Sequence, residues 1–246
     1  MQRKLIRFLA VLAAAVLSAG VCFAGGSRDQ ADHVISGKSL GTEKNVTYNC
    51  HAAQDADPGF VLVAFEGSRM DPRQEGGSVI WTEGLDRFNV IDFSIADELC
   101  SWQAKTWESV NDSYSAAVFD TVTETFGAVK AVGIYAFSKG ASAVDGVCRR
   151  FRDAGITVSF VWLNDPFSTH GLPYVTGLIE SGEIMLYSRY SRDKRVNQLA
   201  KQLYLDYASL PNVDIAYIAT YHGGLVKYDS FAQELAEAAE KAISVP

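Results

Sequence analysis

Residues 129–142 read VKAVGIYAFSKGAS, an apolar run that passes through a short turn into a helical pattern. The run at 129–137 is almost continuously apolar, as expected of a strand buried on both faces of a parallel sheet. Residues 139–154 then place apolar side chains at helical spacing. A buried strand that leads directly into a helix predicts the strand–turn–helix unit from which α/β proteins are built.

The same alternation continues on both sides of this unit. It predicts further strands at 60–65, 89–95, 157–163, 183–188 and 213–219, and further helices at 113–126, 195–207 and 230–243. We therefore expect one α/β domain over residues 59–246, with a mostly parallel central sheet and helices on both faces. The connection between the strands at 157–163 and 183–188 is short, so the lid is expected to be small or absent. Residues 25–58 are polar and predict an irregular segment, or an early hairpin around 46–48.

The composition is that of a compact globular protein. Of the 246 residues, 48% are hydrophobic and 21% are charged, which excludes a disordered chain. The formal net charge of −7 argues against nucleic acid as a partner, because nucleic-acid binding normally needs a basic surface.

Residues 1–24 have the three parts of a secretory signal peptide. A positively charged N-terminal region with Arg3, Lys4 and Arg7 precedes an uncharged apolar run. Small residues then lead to a predicted cleavage site before Gly25. We expect cleavage and export, periplasmic or secreted, with no stable membrane insertion afterwards; the alternative is an uncleaved N-terminal membrane anchor. Loss of these three bases changes the formal net charge from −7 to −10.

The cysteines that remain after cleavage do not form a metal-binding pattern. Cys50 and Cys100 are the pair to test for a disulfide, whereas Cys148 follows the apolar periodicity of a predicted helix and is interpreted as a buried hydrophobic residue. The sequence has no C-x-x-C motif and no phosphate-binding Gly-rich loop after an early strand, so we expect neither a metal site nor a cofactor.

In an open parallel sheet, the chemistry is expected beyond the carboxyl ends of the strands. After the strand at 129–137, the residues from Ala136 to Gly140 read A-x-S-x-G, which is the G-x-S-x-G nucleophile-elbow pattern with Ala in the first position. Small residues suit a tight turn that lifts the Ser138 hydroxyl clear of the sheet at the start of a helix. The structural alternative is that Ser138 only caps this helix.

Two later strand ends carry an acid and a base. Asp193 follows the fifth predicted strand, and His222 follows the sixth on a Gly-flanked loop. The order Ser138, Asp193, His222 is that of a nucleophile, an orienting acid and a general base at one edge of the sheet. Asp165, at the end of the fourth predicted strand, is the alternative acid; its structural interpretation is a turn residue before Pro166.

These motifs resemble the α/β-hydrolase superfamily, esterase- and lipase-like serine hydrolases, from about residue 59 to the C-terminus. The resemblance rests on AFSKGAS at 136–142, SRD at 191–193 and YHGG at 221–224. It implies that Ser138 is the nucleophile, that His222 is the general base and then the general acid, and that Asp193 orients the imidazole.

The resemblance also implies an oxyanion hole made of backbone N–H groups. One is that of Lys139, and the second is that of Gly67 or Ser68 in the loop after the strand at 60–65. Glu66 stands where the family often has His, and Arg69 is the side chain expected to neutralise it.

The implied function is that of an exported serine hydrolase cleaving carboxylic esters or thioesters through an acyl-enzyme. A small lid favours small or medium esters as substrates. A non-catalytic binding protein on the same scaffold is the alternative, because Ala136 and Glu66 depart from the family pattern. His170 is interpreted as an exposed loop residue, and the apolar stretch at 175–179 as a possible pocket wall.

Overall fold

The computed structural model of the protein describes residues 33–35, 46–68, 70, 83–95, 99 and 104–244. Within these residues the strands are β1 (His33–Ile35), β2 (Val46–His51), β3 (Phe60–Phe65), β4 (Val90–Phe93), β5 (Ala131–Phe137), β6 (Thr157–Asn164), β7 (Met185–Tyr190) and β8 (Val213–Tyr217). The helices are α1 (Ala104–Phe126), α2 (Ala141–Asp153), α3 (Pro173–Glu180), α4 (Gln198–Tyr207) and α5 (Phe231–Ser244), and 3-10 turns are formed by Ser138–Gly140 and His222–Gly224. The predicted signal peptide, Arg69 and Cys100 lie outside the described residues.

The strands form one sheet in the order β1-β2-β4-β3-β5-β6-β7-β8. The pairs β1–β2 and β2–β4 are antiparallel, and every pairing from β4 through to β8 is parallel. This mostly parallel sheet confirms the predicted fold class.

Within residues 25–58, the described part of the chain contains the antiparallel pair of strands β1 and β2. β1 pairs with β2, and β2 extends the sheet by pairing with β4, with Cys50 opposite Ile91. The ladder supplies backbone hydrogen bonds along β2, and Val46 and Cys50 are buried. β2 is therefore part of the same sheet as the strands that follow residue 59.

Helices cover both faces of the sheet, as β3 shows. Val61, Val63 and Phe65 pack into a core shared with α1, α2 and α3, whereas Leu62 and Ala64 point to the other face and pack with α5. Every residue of β3 is buried, which explains its uninterrupted apolar sequence. Each buried Val or Leu side chain contributes about 1.5–3 kcal/mol to folding.

The connection between β6 and β7 holds α3, a helix of eight residues that the periodicity did not predict. Its residues Val175 and Ile179 are fully buried in the core, so the expectation that they line a pocket is wrong. Within the described part of the chain, this connection builds no separate lid domain.

Among the helices of the described ranges, none is both long enough and apolar enough to cross a bilayer.

Cys148 is fully buried in α2, as its helical spacing predicts, and this burial raises the pKa of its thiol.

Candidate active site

The turn after β5 has the geometry of a nucleophile elbow. Ser138 has a φ of 54°, in the left-handed region that non-glycine residues seldom adopt, and such strain costs on the order of 1–3 kcal/mol. The Ser138–Gly140 turn leads straight into α2, whose N-cap is Gly140 with no side-chain cap hydrogen bond. Ser138 therefore does not cap the helix, and the capping alternative is wrong.

Close packing between this turn and the end of β3 explains why the turn needs a glycine. A Cβ atom on Gly140 would lie 2.3 Å from the backbone oxygen of Phe65. The loop after β3 also packs closely, because a Cβ atom on Gly67 would lie 2.9 Å from the ring of Phe137. The loop after β3 is thus held against the residues on either side of Ser138.

This packing places the predicted oxyanion-hole residues on adjacent backbone segments. Lys139 follows Ser138 in the 3-10 turn, and Gly67 and Ser68 belong to the loop that packs against Phe137. Their role as N–H donors stays a prediction.

Glu66 is buried beside this loop, with 1% of its surface exposed. The pKa of Tyr135 is raised well above its usual value, chiefly by burial and next by the negative charge of Glu66. Glu66 therefore places a negative charge near the buried phenol of Tyr135, which packs on the same face of the sheet as α5.

His222 starts the 3-10 turn after β8, and its imidazole lies over the residue that precedes Ser138. Its ring stacks on that of Phe137, with centroids 4.6 Å apart and an angle of 24° between planes. No hydrogen bond joins Ser138 Oγ to His222 among these described residues; such contacts commonly tighten only when substrate binds.

Asp165 is the carboxylate that contacts the imidazole. Its Oδ2 atom lies 2.9 Å from His222 Nδ1, and its side chain is fully buried. A carboxylate can only accept, so this contact fixes the tautomer with the proton on Nδ1 and leaves Nε2 available as a base. Asp165 has a φ of 41°, a second strained position at the strand edge.

The structure does not place the preferred acid, Asp193, against His222. Arg195 donates to both carboxylate oxygens of Asp193, from Nε over 3.0 Å and from a terminal nitrogen over 2.8 Å. These bonds are the main reason that the pKa of Asp193 is lowered to about 2. The assignment of Asp193 as the orienting acid is therefore corrected in favour of Asp165, because the guanidinium group already holds the Asp193 carboxylate.

Ser191 holds Asp165 in place; the sequence pointed to it only as part of the SRD motif and gave it no role of its own. Its backbone N–H donates to Asp165 Oδ1 over 2.8 Å, and its hydroxyl donates to Asp165 Oδ2 over 2.5 Å. Asn197 in turn donates to the backbone oxygen of Ser191 over 2.6 Å. The loop after β7 thus supports the acid rather than supplying it.

Asn164 joins the acid to the loop of the histidine. It is fully buried, and its Nδ2 atom donates to the backbone oxygen of Leu225 over 3.0 Å. The indole N–H of Trp162 donates to Asn164 Oδ1 over 2.9 Å, which fixes the amide orientation. Its position next to Asp165 is the only sequence signal that pointed to Asn164.

The side chains that meet at this edge of the sheet carry a hydroxyl, an imidazole and a carboxylate group. Within the described residues, no three His, Cys, Asp or Glu side chains are grouped so as to hold a metal ion. Ser138, His222 and Asp165 together can deliver a serine oxygen to an electrophile while moving its proton.

Comparisons with known proteins define the fold. A scan against models of protein families and a search of curated proteins both find no match to this chain. Among solved structures, it is similar to a bacterial heroin esterase at 15% identity, with a TM-score of 0.57 over 94% of this chain and 89% of that one. It is similar to a lidless α/β serine hydrolase from Xanthomonas campestris at 13% identity, with a TM-score of 0.52 over 91% and 96%. It is also similar to an esterase from Pyrobaculum calidifontis at 10% identity, with a TM-score of 0.54 over 87% and 84%. The likeness shows a shared fold.

Proposed function

We propose that this chain, which has the α/β-hydrolase fold, is a serine hydrolase that cleaves carboxylic esters or thioesters through an acyl-enzyme. One observation carries the proposal: a buried carboxylate, Asp165, bonds the imidazole of His222, which stacks on Phe137 next to the strained Ser138. The esterases among the structural neighbours support ester cleavage as the reaction class.

The first half-reaction transfers the acyl group to the enzyme. Ser138 Oγ attacks the carbonyl carbon while its proton moves to His222 Nε2, and Asp165 stabilises the imidazolium that forms. The carbonyl oxygen becomes an oxyanion, for which the backbone N–H groups of Lys139 and of Gly67 or Ser68 are the proposed donors. Collapse breaks the bond to the leaving oxygen or sulfur, which takes the proton from His222.

The second half-reaction restores the enzyme. Water attacks the acyl carbon, His222 Nε2 accepts the proton, and Ser138 Oγ leaves with that proton as the acid product departs. Small or medium esters are the proposed substrates, because the connection from β6 to β7 contains only the short helix α3, which packs into the core.

The test is pre-steady-state hydrolysis of p-nitrophenyl acetate. We expect an initial burst of nitrophenol equal to the enzyme concentration, and its loss in Ser138→Ala. Ser181→Ala changes an exposed serine at the end of α3 and serves as the matched control. Absence of turnover in folded wild-type protein across esters and thioesters would refute the proposal.

We also propose that the protein is exported. The support is the charged start, apolar run and small residues of 1–24. N-terminal sequencing of the exported protein should begin at Gly25, and a chain that keeps residues 1–24 at the membrane would support the uncleaved anchor instead.

A further inference from the structure

The segment that carries His222 into α5 is held by turns. The structure describes residues 225–230 in full, and they form neither a helix nor a strand. The N–H of Leu225 donates to the backbone oxygen of His222, and the N–H of Phe231 donates to that of Tyr228. Tyr228 therefore lies between a turn that begins at the imidazole and a turn that leads into α5.

Side chains anchor this segment at two points. The first is Asn164, which donates to the backbone oxygen of Leu225. The second is Glu234, in the first turn of α5. The hydroxyl of Tyr228 donates to Glu234 Oε2 over 3.0 Å, and the hydroxyl of Ser230 donates to Glu234 Oε1 over 2.5 Å. The position of the segment thus depends on where the Glu234 carboxylate is held.

Arg189 in β7 holds that carboxylate. Its side chain is only 6% exposed, and its Nε donates to Glu234 Oε2 over 2.9 Å. A terminal nitrogen donates to Asp214 Oδ2 in β8 over 3.0 Å. The guanidinium carbon lies 4.9 Å from the ring centroid of Trp162, whose indole N–H donates to Asn164. Both anchors of the segment therefore meet at Trp162.

Stability alone is a weak reason for a charge in this place. Burying a guanidinium group costs hydration free energy, and apolar replacement of a buried ion pair is often neutral or stabilising. A fully bonded polar network instead fixes one arrangement of the segments that it joins. Burial, and next the charge of Glu234, raises the pKa of Tyr228 well above its usual value, so the phenol stays protonated and donates.

We propose that Glu234, together with its partners Arg189 and Tyr228, positions His222 for catalysis; we call these three side chains the Glu234 clamp. The clamp ties the segment that carries His222 to β7 and β8, so that Nε2 stays in line with Ser138 Oγ in both half-reactions. It acts through His222, not on the substrate. The proposal rests on the proposed serine-hydrolase function.

The first test uses two tyrosines that make the same bond. Tyr228→Phe removes the hydroxyl that bonds Glu234 and should lower kcat on p-nitrophenyl acetate by about 3- to 10-fold. KM should stay within about 2-fold, because both half-reactions use the same histidine. Tyr207→Phe is the matched control. The Tyr207 hydroxyl also donates to a glutamate, Glu180, over 3.0 Å, but it lies at the end of α4, before β8 begins. Its kcat and KM should not change.

The second test uses rescue at Arg189. Arg189→Met leaves Glu234 without its cation and should lower kcat by about 10- to 100-fold. Arg189→Lys keeps the charge and a donor, so it should recover most of that loss. Assays are run well below the Tm of each variant. The rate at which a fluorophosphonate labels Ser138 should fall with kcat, because it reports activation of the serine without depending on the ester chosen. If Arg189→Met does not fold, the two tyrosine variants decide the proposal.

The possible failures are distinct. A lower Tm with kcat and labelling rate unchanged gives the clamp a purely structural role and overturns the proposal, while the proposed function stands. A rise in KM with kcat unchanged shows an effect on substrate binding and overturns it as well. Wild-type protein that is labelled on Ser138 but cleaves no ester or thioester refutes the proposed function, and the labelling rates of the variants then decide the clamp. Wild-type protein that does neither overturns both proposals.

Discussion

Asp165 Oδ2 lies 2.9 Å from His222 Nδ1, although these residues follow β6 and β8, two strands that are not neighbours in the sheet. The loop after β7, between them, contributes Ser191 as a donor to the same carboxylate. The Asp165 carboxylate is therefore supplied by one strand end and held by the next.

The first prediction separates the two candidate acids. Asp165→Asn should lower kcat on a p-nitrophenyl ester by about 1,000- to 10,000-fold, because an amide at this position favours the wrong imidazole tautomer. Asp193→Asn should retain kcat within about 3-fold, since Asp193 bonds Arg195 and not the imidazole. The opposite pattern would return the acid role to Asp193.

The second prediction concerns Ser191 as a positioning residue. Ser191→Ala removes the hydroxyl that donates to Asp165 and should lower kcat by about 10- to 100-fold, since a hydrogen bond to a charged group contributes about 1.5–3 kcal/mol. KM should change little, and Ser191→Thr should recover most of the loss. A rise in KM with kcat unchanged would show that Ser191 acts on substrate binding instead.

The third prediction compares alanine substitutions at two glycines, Gly140 in the turn after β5 and Gly177 in α3. Gly140→Ala should destabilise the fold by about 1–3 kcal/mol and lower activity, because the new methyl group meets the backbone oxygen of Phe65. Gly177→Ala, in α3, meets no atom within 4 Å and should stabilise the protein by about 0.5–1 kcal/mol. Urea denaturation midpoints measure both, and similar effects at the two positions would contradict the packing described.

The fourth prediction concerns acid stability. Arg195 lowers the pKa of Asp193 to about 2, whereas the pKa of an Asp side chain in an unfolded chain is about 3.9. The folded chain holds fewer protons at this group between those values, so its contribution is present above about pH 4 and is lost as the pH falls towards 2. The urea midpoint of Asp193→Asn should therefore fall less steeply between pH 4 and pH 2 than that of the wild type. Equal slopes would show that the ion pair does not form in solution.

Much of the sheet could be predicted from periodicity alone. The bounds of β3 agree with the prediction, and β5 to β8 lie within about two residues of theirs, because buried parallel strands leave long apolar runs. α3 was missed because its eight residues are too short and too apolar to show helical alternation.

Ser138 and His222 could be singled out from sequence because each follows a recognisable strand, Ser138 lies two residues before Gly140, and His222 lies directly before Gly223. The acid could not be chosen in this way. Both Asp165 and Asp193 follow strands that end at the same edge, and only the backbone path decides between them. The left-handed φ of Asp165 and the bond from its N–H to the oxygen of Arg189 turn its carboxylate towards His222. Neither feature leaves a pattern in the sequence.

A fluorophosphonate tests whether Ser138 is a nucleophile that His222 activates. The reagent reacts with activated serines, and mass spectrometry locates the adduct. We predict one adduct, on Ser138, that is absent in Ser138→Ala and forms far more slowly in Asp165→Asn and in a His222→Ala variant. Folded wild-type protein that takes up no label, or takes it up on another residue, would show that Ser138 is not an activated nucleophile.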